Sequence, residues 1–381
     1  MKADTSRWAV FLCMAVFFLQ PVQLGIWFSR VAEVQYVLGL SKSQLALALL
    51  GMPVGLLPTL YFAGKLVDEM GPRHALMWCL PPMLLVGVTP GLAVGPVSLF
   101  VSLVALGAVV AFAEVGMNVY AARVEKARRK AIMNRAHGFW SLGVMVGSLI
   151  GVQLATFELS AFAALAIGGV ILLPLLIAVA ALLPFVEAPE HHEPEAPMGR
   201  SIPTALYLII AIVFGATLVE GAMIDWAAVY MREVAQFTPG REGLAVTVFS
   251  GFVTIGRFVG DAINTRFGAT VLARGCLGAA LLGVIVLASN LGSYASFVGF
   301  ALVGLGVSTI FPLGVTASAA LSKRAEARNV SVMTFGALSG FLIGPPAIGF
   351  LAQATSLDVA FLLLVPCLML SIALAHRLSV R

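Results

Sequence analysis

Twelve long apolar runs decide what this chain can fold into. They lie at about 8–29, 43–63, 74–94, 97–122, 136–157, 159–185, 204–230, 242–262, 270–289, 293–321, 330–354 and 357–376. An α-helix needs about 20 such residues to cross the hydrocarbon of a bilayer. The runs are continuous and lack a two-residue alternation, so they predict helices rather than the strands of a barrel. A soluble core is excluded by composition. The chain is 60% hydrophobic and 11% charged, where a soluble domain carries roughly 25% charged residues. Its 381 residues cannot enclose that much apolar surface. The first run exceeds a signal-peptide core of about 7–15 residues, and no small-residue cleavage site follows it, so it is expected to remain as the first transmembrane helix.

Basic residues predict the orientation. With both termini in the cytoplasm, 19 of the 23 Lys and Arg residues fall on cytoplasmic segments, Arg257 among them, and Arg30, Lys42, Arg232 and Arg241 fall outside. Positive charge collects on cytoplasmic loops, so a multi-pass protein of the cell's inner membrane is expected. The net charge of +5 then serves topology, and nucleic acid is not expected as a partner. The hydrophilic stretch VEAPEHHEPEAPMGRSIP, residues 186–203, reads as a cytoplasmic linker. It separates an N-terminal six-helix bundle, 1–185, from a C-terminal one, 204–381. His191 and His192 in the linker read as solvated rather than as metal ligands. The four cysteines lie in apolar runs without ligand spacing, and neither a metal nor a cofactor is expected.

The two halves echo each other. GKLVDEMGPRHALM, residues 64–77, follows the second run, and GRFVGDAINTRFGATVLAR, residues 256–274, follows the eighth. HGFWSLGVMVGSLIG from 137 is matched by FGALSGFLIGPPAIG from 335, each with glycine at every fourth position. Such small-residue stripes let helix backbones approach closely.

Duplicated six-helix halves are the architecture of alternating-access carriers. Gly64, Asp68, Gly71 and Arg73 resemble the cytoplasmic loop motif of the major facilitator superfamily, and Gly256, Arg257 and Asp261 resemble its second-half counterpart. The resemblance implies two pseudo-symmetric six-helix bundles and a loop that latches the cytoplasmic side shut. Glu69 stands where the motif usually has a basic residue. On the residues alone, Asp68 and Asp261 are either latch carboxylates or ordinary solvated turn charges.

Glu114 is the one acid within its apolar run, about two turns from the predicted cytoplasmic end. An ionised acid at mid-helix costs roughly 2.5–3.5 kcal/mol, so its presence needs a reason. Helical spacing puts Gly107, Ala111, Glu114 and Asn118 on one small, polar face. Either that face lines a cavity, or Glu114 pairs structurally with Arg123 or His137. AEVGMNVY, 113–120, followed by HGFWSLG, 137–143, is similar to the fourth and fifth helices of the fucose permease branch of sugar–proton symporters. The resemblance implies that Glu114 carries the proton and Asn118 contacts substrate. That branch's acid in the first helix has no equivalent here, where Gln20, Gln23 and Trp27 stand instead. A second acid is then sought on the seventh helix, where Glu220 is expected to face the cavity and Asp225 water or a neighbouring helix.

His137 is a further candidate proton relay, one turn from Ser141, and Trp140 and Trp27 are candidates to stack on a solute. Arg30 with Glu33, and Arg232 with Glu233, end repeat-equivalent helices. They are either an outer gate of cross-bundle ion pairs or separate solvated helix ends. The chain shows no nucleophile–base pair and no nucleotide-binding loop, so neither an enzyme nor an ATP-driven pump is expected. The expected function is secondary transport of a small polar, sugar-like solute by a monomer, with protons as co-substrate and the lipid bilayer as surroundings. The alternatives are a proton-coupled exporter of drugs or metabolites and a non-transporting sensor on the same fold.

Overall fold

The computed structural model describes residues 7–186, 202–322 and 326–379. Most of the 186–203 linker, with His191 and His192, lies outside these. The described residues form helices and no strand. Twelve helical spans are long and apolar enough to cross a membrane: α1 Arg7–Val37, α2 Lys42–Met70, α3 Pro72–Leu92, α4 Pro96–Arg128, α5 Met133–Thr156, α6 Ala161–Leu182, α7 Thr204–Glu233, α8 Leu244–Phe267, α9 Ala269–Ala288, α10 Ser293–Ala320, α11 Arg328–Ala354 and α12 Leu357–Leu378. The start of α1 and the end of α12 lie at one end of the bundle, called here the terminal end. The α1–α2, α5–α6, α7–α8 and α11–α12 connections lie at the far end.

Two spans differ from their predicted extents in ways that matter. α1 continues to Val37 and is broken between Leu19 and Val22, because Pro21 has no N–H to donate and its ring crowds the preceding turn. α4 runs six residues past its predicted end, so Glu114 sits near mid-helix, about 21 Å from the terminal end at 1.5 Å per residue. The hydrophobicity signal stopped at Arg123, but the helix did not.

The two halves pack alike. α1 lies against α5 and α7 against α11. A side chain at Gly143 or Gly147 would run into the backbone of α1, and one at Gly336 or Gly340 into α7. The glycine stripes are therefore close helix contacts. The two repeat turns are matched as well. Gly71, with φ +79°, joins α2 to α3, and Gly268, with φ +82°, joins α8 to α9, a conformation costly for any other residue.

Contacts between the halves are uneven. α5 and α8 stay together along their lengths, while α2 meets α11 chiefly through its far-end segment Lys42–Leu49. At the far end Lys42 Nζ lies 2.9 Å from Glu233 Oε2, and Gln35 Nε2 donates to Glu233 Oε1 at 2.9 Å. The backbone N–H of Lys42 donates to Gln353 Oε1 of α11 at 2.9 Å. Toward the terminal end α2 and α11 diverge.

Candidate functional site

A polar cluster bridges the halves at mid-depth. Glu114 Oε1 on α4 accepts a hydrogen bond from Trp140 Nε1 on α5 at 2.9 Å. Across the interface, Arg257 on α8 pairs with Glu220 on α7 at 3.3 Å. The same guanidinium reaches into the first half, donating through Nη1 to Ser141 Oγ at 2.5 Å and to the His137 carbonyl at 3.1 Å. One cation therefore joins an acid of its own half to the α5 groups beside Trp140, the donor to Glu114. The Arg257 and Glu220 side chains are 10% and 12% exposed, and in so apolar a setting each needs the other.

The position of Arg257 departs from the sequence expectation. Counted there as a cytoplasmic latch residue, it lies within α8, about 15 Å before the helix ends. A charge inside a span is a candidate functional residue by default. That signal was present, since Arg257 falls within the predicted 242–262 run, but the repeat motif absorbed it.

The other candidates divide into those drawn to this cluster and those used elsewhere. Ser141 belongs to it. Asn118 stands one turn from Glu114 and donates to the Glu114 carbonyl at 2.9 Å. The His137 ring packs edge-on against Phe17 of α1, 5.5 Å between centroids. Gln20, Gln23 and Trp27 lie inside the first six helices. Gln20 Nε2 donates to Met83 Sδ of α3, and Gln23 Nε2 donates to the carbonyls of Leu84 and Leu165 at 3.0 and 3.2 Å. Trp27 is 1% exposed within the hydrophobic core. The two glutamines tie α1 to α3 and α6, because that face of α1 turns toward them. Asp225 makes no ion pair or hydrogen bond among the described residues.

The latch residues behave unequally. Asp261 accepts from Asn134 Nδ2 at the start of α5 at 2.7 Å, so it joins the halves at the terminal end. Asp68 is exposed, and the space beside Gly64 is open. Arg73 donates to the Ala181 carbonyl within its own half at 2.9 Å. Gly71 is needed for its turn, and a side chain at Gly256 would strike Ser308 of α10.

At the far end the cross-half partners differ from the four predicted. Arg30 and Glu33 pair with each other, and Arg30 also donates to the Gly151 carbonyl at 3.0 Å. Glu33 accepts from the Ala161 N–H at 2.8 Å, at the start of α6. Both serve the first half. Arg232 crosses instead, donating to the Ala32 carbonyl at 3.3 Å and lying over the Tyr36 ring at 4.2 Å. Glu233 crosses to Lys42 and Gln35. Glu242, which pairs with Arg232 at 3.4 Å, was missed, as were Lys42 and Gln35; isolated loop and helix-end charges carry no pairing signal in one sequence.

Lys42→Glu is expected to place two carboxylates together and open the far end. Labelling of an engineered far-end cysteine should rise several-fold, and Lys42→Glu/Glu233→Lys should return it near the starting level.

Comparison with known proteins gives the cluster its setting. The sequence profile of the Major Facilitator Superfamily matches residues 8–295 and 229–380. A Yersinia pestis protein named as an uncharacterized MFS-type transporter is 31% identical over 371 residues, covering 96% of this chain and 94% of that one. Membrane protein MosC of Rhizobium meliloti is 26% identical, covering 92% and 85%. Among solved structures, a bacterial homolog of the human lysosomal transporter Spinster, inward-facing and occupied, superposes with a TM-score of 0.74 at 15% identity, covering 96% and 95%. The E. coli fucose:proton symporter superposes at 0.67 with 17% identity, covering 97% and 98%. These structural likenesses show the fold. With the profile spanning both halves, the chain is a multi-pass membrane transporter, not an enzyme, and belongs to the Major Facilitator Superfamily.

Proposed function

We propose that this transporter moves a small polar, sugar-like solute by proton symport, with Glu114 as the proton-carrying acid. The observation that carries the reading is the Glu114–Trp140 hydrogen bond beside the Arg257–Glu220 pair, an arrangement contributed by both halves. Protonation neutralises Glu114 and lowers the cost of enclosing it. Arg257, already linked to α5 and α7, passes that change in charge to the contact between halves. Asn118, Ser141 and Trp140 are the groups proposed to hold solute hydroxyls and a sugar face. His137 and Glu220 complete the proton path.

In this reading the halves, 1–185 and 204–381, rock against each other at their close helix contacts, with both termini in the cytoplasm of an inner-membrane monomer. The described geometry supports an inward-facing arrangement, joined at the far end through Glu233 and Arg232 and parted between α2 and α11 at the terminal end. Asp261 and Asn134 hold α8 to α5 at the terminal end, while Lys42, Arg232 and Glu233 form the outer gate.

The test is uptake into proteoliposomes under an imposed inward proton gradient, with labelled sugars, sugar acids and polyols. Accumulation above the external concentration is expected for one of these classes. Efflux driven by the inward gradient would replace symport by export, and no flux would favour a sensor.

A further inference from the structure

The start of α1, the end of α4 and the start of α5 meet around a cavity of about 190 Å³ lined by Arg7, Val10, Arg128, Lys130, Ile132 and Arg135. Four of the six, Arg7, Arg128, Lys130 and Arg135, are cations. The acid next in sequence, Glu125, faces another task. It accepts from the N–H groups of Ile132 and Met133 at 2.7 and 2.9 Å, capping the start of α5. Arg129 ends α4 in the left-handed conformation, φ 51°, and this turn returns Lys130 toward the cavity.

Lipid-facing groups adjoin it. Trp8 and Phe11 of α1 stack with ring centroids 5.3 Å apart and are 50% and 60% exposed. Aromatic rings of this kind mark the headgroup level of a bilayer. Topological bias accounts for basic residues at one end of a membrane protein, but not for four of them around one cavity. Basic pockets between helices bind anionic lipid headgroups. We infer that this cavity binds the phosphate of an anionic phospholipid, whose acyl chains run along Trp8 and Phe11.

The experiment is native mass spectrometry of the full chain in detergent with phosphatidylglycerol, phosphatidylethanolamine or inorganic phosphate added. Phosphatidylglycerol is expected to bind at least tenfold better than phosphatidylethanolamine, and millimolar phosphate should not displace it. Lys130→Gln and Arg135→Gln, both exposed, should each weaken it about fivefold. Arg266→Gln and Arg274→Gln, on α8 and α9, should leave it unchanged and show that loss is local. Equal binding of the two lipids, or equal loss in all four variants, would overturn the site. Displacement by phosphate would overturn its assignment to lipid.

Discussion

Arg257→Leu is expected to destabilise the protein by about 3–5 kcal/mol, because it leaves Glu220 buried without its counter-charge. Thermal unfolding in detergent should show this as a large fall in midpoint. Arg257→Leu/Glu220→Leu should recover most of the loss, since apolar residues of similar size replace a buried ion pair at little cost. Uptake should stay absent in both. The pair is thus expected to separate into a stability role, which leucines can fill, and a transport role, which they cannot. A single variant as stable as wild type would mean that Arg257 and Glu220 do not depend on each other.

Glu114→Gln should have the opposite profile, with stability retained and coupling lost. The glutamine oxygen can still accept from Trp140 Nε1, so the local geometry stays, but the amide does not exchange a proton across the working pH range. A gradient of one pH unit supplies about 1.4 kcal/mol per proton, or about a tenfold solute accumulation. In Glu114→Gln that ratio is expected to fall to about one, while exchange of labelled for unlabelled solute across the membrane continues. Loss of both would move Glu114 from coupling to solute binding.

Much of the fold was legible because the bilayer imposes length and polarity rules on every span. The glycine stripes of α5 and α11 were readable because each answers a local geometric demand, whereas the left-handed turns at Gly71 and Gly268 came from the structure. The site was readable only in part. Glu114 stood out as an acid in an apolar run, and its partner Trp140 was already a candidate. Gln20, Gln23 and Trp27 misled because helix rotation is invisible in hydropathy; a polar side chain on α1 serves a neighbouring carbonyl or a solute depending on the face it occupies. Arg257 was overlooked in its true place because a motif explained it before its depth was weighed. The far-end partners needed the third dimension, since Lys42 and Glu233 lie on opposite halves.

The most direct test of proton coupling at Glu114 is proton entry itself. Liposomes loaded with a pH dye, carrying wild type or Glu114→Gln, would receive sugars, sugar acids and polyols in turn. The expected result is solute-triggered acidification in wild type with the same solute giving none in the variant. Equal acidification in both would contradict the assignment of the proton to Glu114.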